Sequence, residues 1–158
     1  MIKDKIYTFF MGMFPIGELR TSIPLAYHGL GLDWFNSYIF SLMGNSLVAL
    51  ILIYLIRFIG TNNIKFFFDK IPLIGYIFSK WEKSSIEKSK YIEKWSYLGL
   101  MLFVGIPLPI TGAWTAVLIS VFLKLKPFKS YIFISYGLII SGLIVTYFTI
   151  FLPNIFVY

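Results

Sequence analysis

The chain has 158 residues, 58% of them apolar and only 13% charged, with no cysteine and a net charge of +7. A soluble domain is roughly 45–50% apolar and about 25% charged, so this composition, with a mean hydropathy of +0.81, points to one domain facing lipid rather than water. Without cysteine there is no disulfide framework, thiolate metal site or cysteine nucleophile.

Met1–Lys5 leads straight into Ile6–Phe14 with no small-residue cleavage site, so a removable signal peptide is not expected. Four apolar stretches follow: Ile6–Leu32, Phe35–Ile59, Tyr97–Leu123 and Phe128–Leu152. Each exceeds the roughly 20 residues that cross a bilayer as a helix. Phe35–Ile59 and Phe128–Leu152 lack proline and read as plain spanning helices. The other two are interrupted. Phe14-Pro15-Ile16-Gly17-Glu18-Leu19-Arg20-Thr21-Ser22-Ile23-Pro24 sits inside the first, and Gly105-Ile106-Pro107-Leu108-Pro109-Ile110-Thr111-Gly112 inside the third.

Proline removes a helical donor and clashes with the preceding turn, and it pushes its predecessor toward extended geometry. A helix stopped inside lipid leaves backbone groups that lipid cannot satisfy. A re-entrant hairpin meets this constraint: a half-helix in, a turn near mid-depth, and a half-helix out, as in transporter sites built on broken helices. A kinked but fully spanning helix is the alternative.

Sliding the chain by 93 positions lays Phe10–Phe58 on Phe103–Phe151 without gaps. Gly12 then meets Gly105, Gly44 meets Gly137, and Ser37-Tyr38-Ile39-Phe40 meets Ser130-Tyr131-Ile132-Phe133. The expected fold is therefore all-α and integral to the membrane. It is a single domain over 1–158 with repeat 1 at 6–59, a connector at 60–96 and repeat 2 at 97–152. If each hairpin returns to its own side, each unit crosses once and the second is inverted.

Charge agrees with that topology. Arg57, the lysines of Gly60–Ser96, and Lys124, Lys126 and Lys129 then share one face, cytoplasmic by the positive-inside rule, leaving Lys3 and Lys5 outside. Four full spans would move Lys124, Lys126 and Lys129 outside. Basic residues placed between apolar runs orient a membrane protein and do not form a nucleic-acid site. In the connector, Ser79-Lys80-Trp81-Glu82 is a capping box. Trp81, Ile92 and Trp95 fall at helical spacings on a lysine-rich helix, either interfacial or plainly solvated.

Glu18 and Arg20 are the acid and base of the first broken stretch, placed by the spacing at its turn. A charge at the bilayer centre costs at least about 2.5–3.5 kcal/mol, and intramembrane ionisable residues mark functional sites. The bland reading is an ion pair pinning the hairpin tip. Positions i and i+2 do not face each other on a helix, so the two either converge on a broken turn or each meet the opposite hairpin. Burial favours a neutral Glu18 while Arg20 favours its carboxylate, a balance suited to carrying a proton.

In the second hairpin Thr111 aligns with Glu18, and Ala113 with Arg20. Pro15, Gly17, Pro24, Asn45, Pro107, Pro109, Thr111, Gly112 and Trp114 are the candidate cavity residues. Thr111 either binds an ion or headgroup with freed backbone groups, or back-bonds to a helix carbonyl. Trp114 walls the cavity or merely packs, and Asn45 offers an interhelical hydrogen bond. His28, the sole histidine, reads as an interfacial or hydrogen-bonded ring. No metal cluster, catalytic triad order or phosphate loop is present, so neither a cofactor nor an enzyme is expected.

Gly17-Glu18-Leu19-Arg20 with Ile23-Pro24, followed by Pro107-Leu108-Pro109-Ile110-Thr111-Gly112-Ala113-Trp114-Thr115, resembles the paired motifs of the small multidrug export protein family. Thr21 departs from the small residue that often follows the arginine there. That family is in turn similar to the DedA, or SNARE-associated, membrane proteins. The resemblance implies two facing re-entrant hairpins, a multi-pass protein of the bacterial cytoplasmic membrane, and transport.

Three functions follow as expectations. The first is proton-coupled (or other cation-coupled) export of amphipathic small molecules, with Glu18 as carrier. The second is DedA-like movement of a lipid carrier such as a polyprenyl phosphate, with Arg20 on the phosphate. The third is a non-transporting membrane scaffold using the aromatic-rich Phe58–Phe78 and the connector helix. Partners are membrane lipids, the substrate and the coupling ion. Two spans and two hairpins are few to enclose a pathway, which points to a homodimer.

Overall fold

The structure, a computed structural model, describes residues 2–15, 18–59, 83, 96–108 and 111–151. The regular structure among them is helical: α1 Ile2–Met13, α2 Glu18–Pro24 running into a π-helical turn Leu25–Gly29, α3 Trp34–Ile59, α4 Ser96–Gly105, α5 Ala113–Phe122 and α6 Pro127–Phe151. The expected capping box, Trp81, Ile92, Trp95 and most of the Phe58–Phe78 stretch lie outside the described residues.

The long helices start where local chemistry dictates. Gly31 takes a left-handed φ of 66° and turns the chain toward α3. Asp33 caps α3: its Oδ2 accepts the Asn36 backbone N–H at 2.9 Å, and its Oδ1 accepts the Asn36 side-chain amide. Those two donors hold the Asp33 carboxyl below the usual carboxylate range. Pro127 opens α6 at the first helical position, where its missing N–H is no loss. With 26 and 25 residues, α3 and α6 each run about 38 Å at 1.5 Å per residue, beyond the roughly 30 Å hydrocarbon core. Both are long and apolar enough to cross a membrane. Leu47, Ile51, Tyr54, Leu55 and Phe58 on α3, and Ile139, Ile140, Leu143, Tyr147 and Phe151 on α6, are exposed. Apolar faces this continuous suit lipid rather than water. This is a membrane protein.

Both proline-marked stretches are interrupted: α1 ends at Met13 and α2 starts at Glu18, and α4 ends at Gly105 and α5 starts at Ala113. The first break is shorter than expected. The helix resumes at Glu18 and runs through Pro24, so Glu18 and Arg20 occupy the first turn of α2 rather than the turn before it. One proline forfeits a single hydrogen bond, and the wider π pairing begins immediately after it, with Leu30 N–H bonded to Leu25 C=O at 3.0 Å.

The contacts set the helix directions. Ser46 Oγ meets Tyr131 Oη at 2.9 Å, and Tyr38 Oη donates to Ile139 C=O at 3.5 Å. Moving back along α3 thus means moving forward along α6, so the two are antiparallel. Tyr97 stacks near Phe133 with centroids 5.5 Å apart, while Gly137 abuts the backbone of Met101 and Gly105, so α4 runs parallel to α6. The Lys126 N–H donates to Tyr97 Oη at 3.0 Å, which brings the chain after α5 back beside the start of α4. Gly44 abuts the backbone of Phe9 much as Gly137 abuts that of Met101. The core that joins the two halves is built from Leu19, Ile23, Ile53, Leu100, Ile119, Ile134 and Leu138.

Candidate functional site

Glu18 and Arg20, in the first turn of α2, reach across to Thr111 and to the start of α5. Glu18 opens α2 with a left-handed φ of 48°. Its side chain crosses to the start of α5, where Oε2 accepts the Ala113 N–H at 3.0 Å and Oε1 the Trp114 N–H at 3.3 Å. The first N–H groups of a helix have no intrahelical partner and carry the positive end of its dipole. The N-cap of α5 is Gly112, which has no side chain to serve them. Glu18 therefore caps α5 from another helix. Asn45 Nδ2, near the middle of α3, donates to Glu18 Oε2 at 3.4 Å.

Arg20 lies on the opposite flank of α2, as an i, i+2 spacing requires. Its Nη2 donates to Thr111 Oγ1 at 3.2 Å. Thr111 holds the second break together. Its Oγ1 accepts the Leu108 N–H at 3.1 Å and lies 2.9 Å from Ile106 C=O and 2.7 Å from Leu108 C=O, one of which takes its proton. The Trp114 indole N–H donates to Met13 C=O at 3.2 Å, closing the contact from the other side. Of the two arrangements open to an acid and a base two residues apart, the chain adopts the one in which each meets the opposite break.

Glu18, Leu19, Arg20, Val104, Thr111, Gly112, Leu138 and Ser141 line a cleft of about 200 Å³, counting its open mouth. Most of that space is open to the outside, and the enclosed part has room for no more than about one water, far less than a drug-sized site. Of the candidate cavity residues, Thr111 and Gly112 line it beside Glu18 and Arg20. Asn45 reaches the site through Glu18. Pro15 and Pro107 follow the ends of α1 and α4, Pro24 lies inside α2 and Trp114 in α5, and none of the four lines this cleft, while Gly17 and Pro109 lie outside the described residues. His28 stands apart, its Nε2 3.2 Å from Thr149 C=O.

Arg57 escaped the sequence reading as a site residue. From the last turn of α3 its Nη2 donates to Ser120 C=O at 3.4 Å and to Leu125 C=O. It thus serves the carbonyl end of α5, whose amide end Glu18 serves. An anion and a cation from the first half of the chain clamp one short helix of the second half, each at the end its dipole favours. The one signal was a lone arginine closing an otherwise uncharged span, and it looked like ordinary flanking charge.

No curated protein and no solved structure matches the chain. A family model described as "putative small multi-drug export protein" matches residues 18–144, from the first residue of α2 into α6. The chain belongs to this small multi-drug export protein family.

Proposed function

We propose that this protein is a proton-coupled exporter of amphipathic small molecules, in which Glu18 is both the proton carrier and the latch between the two breaks. The observation that carries this reading is the Glu18 carboxylate on the Ala113 and Trp114 N–H groups, beside the middle of α3. An ionised Glu18 accepts these hydrogen bonds and faces the positive end of α5. Charge-assisted bonds are roughly twice as strong as neutral ones. Protonation removes the charge, converts one oxygen into a donor and releases the latch. The 200 Å³ cleft then widens for substrate, whose entry returns the proton. The closed latch matches a cleft too small for a drug.

The arrangement behind this reading is two re-entrant hairpins in an inverted repeat, forming one membrane domain. Several features support it. α3 and α6 are antiparallel, and Lys126 returns to Tyr97. Ser37 and Ser130, paired by the 93-residue shift, both bond the carbonyl four residues before them. A homodimer, protons as the coupling ion and a bacterial cytoplasmic membrane complete the proposal.

A second reading, movement of a lipid carrier such as a polyprenyl phosphate, is favoured by Arg20 lining the cleft, because a guanidinium fork matches phosphate. Liposomes containing wild type, Glu18→Gln or Arg20→Lys separate the two. The exporter reading predicts ethidium transport that Glu18→Gln abolishes and Arg20→Lys largely retains. Polyprenyl phosphate movement that Arg20→Lys abolishes, with no ethidium transport, would favour the second reading. A scaffold predicts no transport of either compound.

A further inference from the structure

We infer that the α2–α3 interface beside Glu18 is a binding site for a single Na⁺, formed by Ser22 Oγ, Ser41 Oγ and Asn45 Oδ1 with the Glu18 carboxylate as countercharge. Ser22, Ser41 and Asn45 are each 0% exposed, and these three oxygens have no protein hydrogen-bond partner. Buried polar atoms without partners are rare and call for an explanation.

Helical hydroxyls normally solve this problem themselves. Thr8, Ser37, Ser130, Thr146 and Thr149 all donate to the carbonyl four residues earlier. Ser22 and Ser41 sit in helices with the same option and do not use it. Asn45 commits its Nδ2 to Glu18, which leaves Oδ1 turned to something else.

The register brings these groups together. The chain leaves α2 through the π-helical turn Leu25–Gly29 and enters α3 at Trp34, and Asn45 near the middle of α3 donates to Glu18 at the start of α2, so the two helices run antiparallel. One turn along α2 from Glu18 is Ser22, and one turn back along α3 from Asn45 is Ser41. Residues four apart share a helix face, so the two serines fall at the same level. Ligand oxygens held about 2.3–2.6 Å from a hard cation stand roughly 3.3–3.7 Å from one another, at the limit of hydrogen-bond reach. Oxygens that the register sets at one level, each buried and unbonded, suit such a cation. Three neutral oxygens and one carboxylate suit a monovalent hard ion, since divalent sites recruit more carboxylates. Arg20 points away to Thr111, so it does not compete for the site.

This inference deepens the proposed function by adding Na⁺ at the Glu18 latch, and it rests on that function only for the claim that the ion is carried. The test is equilibrium binding of ²²Na⁺ to the full chain purified in detergent with choline chloride as background salt, which involves no transport. The expected result is saturable binding of one Na⁺ per chain, displaced by unlabelled NaCl and not by equal KCl. Ser22→Ala and Ser41→Ala should each weaken it about tenfold or more, with melting in choline chloride unchanged from wild type. Absent saturable binding to folded wild type, equal displacement by K⁺, or full binding in the Ser22→Ala/Ser41→Ala double variant would each overturn the site. Loss of proton coupling in liposomes would leave this result untouched.

Discussion

The Glu18 carboxylate fills the space that a β-carbon on Gly112 would occupy. Gly112 has an ordinary extended backbone, with φ of −97° and ψ of −170°. It is needed for room and not for conformational freedom. An uncapped helix start without a side chain, and an acid reaching it from another helix, form one device.

Gly112→Ala is therefore expected to push the carboxylate off the Ala113 and Trp114 N–H groups. Overpacking of this kind costs about 1–3 kcal/mol. For a chain of this size, that lowers Tm by roughly 2–12 °C. Tryptophan fluorescence on heating reads it, because Trp114 reports on the contact. A Tm equal to wild type would mean that the carboxylate has another place to go.

Thr111 is the second break's organiser, and its hydroxyl is the group that matters. Thr111→Val keeps the shape and strands the Leu108 N–H and an Arg20 donor, at about 1–3 kcal/mol. Thr111→Ser should restore most of the wild-type Tm. Equal Tm for Val and Ser would assign Thr111 a packing role only.

Arg57 serves the carbonyl end of α5. Arg57→Met should lower stability by about 1–2 kcal/mol, read as a falling Tm, while the substrate and proton dependence of transport stays as in wild type. A change in coupling stoichiometry would instead place Arg57 in the transport cycle.

The topology is open to direct labelling, because the chain has no native cysteine. Asp33→Cys lies before α3, and Lys124→Cys lies in the turn that Arg57 and Tyr97 bring beside the end of α3 and the start of α4. An impermeant maleimide should label the two from opposite sides of oriented vesicles. Labelling from one side would exclude the inverted arrangement.

Much of the fold was legible because membrane helices announce themselves. The expected spans Phe35–Ile59 and Phe128–Leu152 start one residue after α3 and α6 do, at Trp34 and Pro127, since an apolar run bounded by Asp33 or Pro127 admits few other starts. The second break was equally clear, with two prolines beside two glycines. Pro24 misled, because one proline can be absorbed by a π turn that leaves no signature in the sequence. Glu18 and Arg20 stood out as charges where charge is expensive. What they touch was not legible. The repeat alignment set Thr111 opposite Glu18, whereas in space Arg20 meets Thr111 and Glu18 meets Ala113. Sequence registers describe equivalent positions, and contacts across two breaks depend on how they are offset. Ser141 and Leu138, which complete the cleft, looked like any other small and apolar residues of a spanning helix.

In the proposed cycle the carboxylate that fastens α2 to α5 also moves the proton. Liposomes carrying internal ethidium and a pH-sensitive dye, given an outward ethidium gradient, measure this most directly. Wild type should acidify the interior as ethidium leaves. Glu18→Gln, shown by its melting curve to be folded, should give no acidification above protein-free liposomes. Acidification by Glu18→Gln at the wild-type rate would contradict the claim.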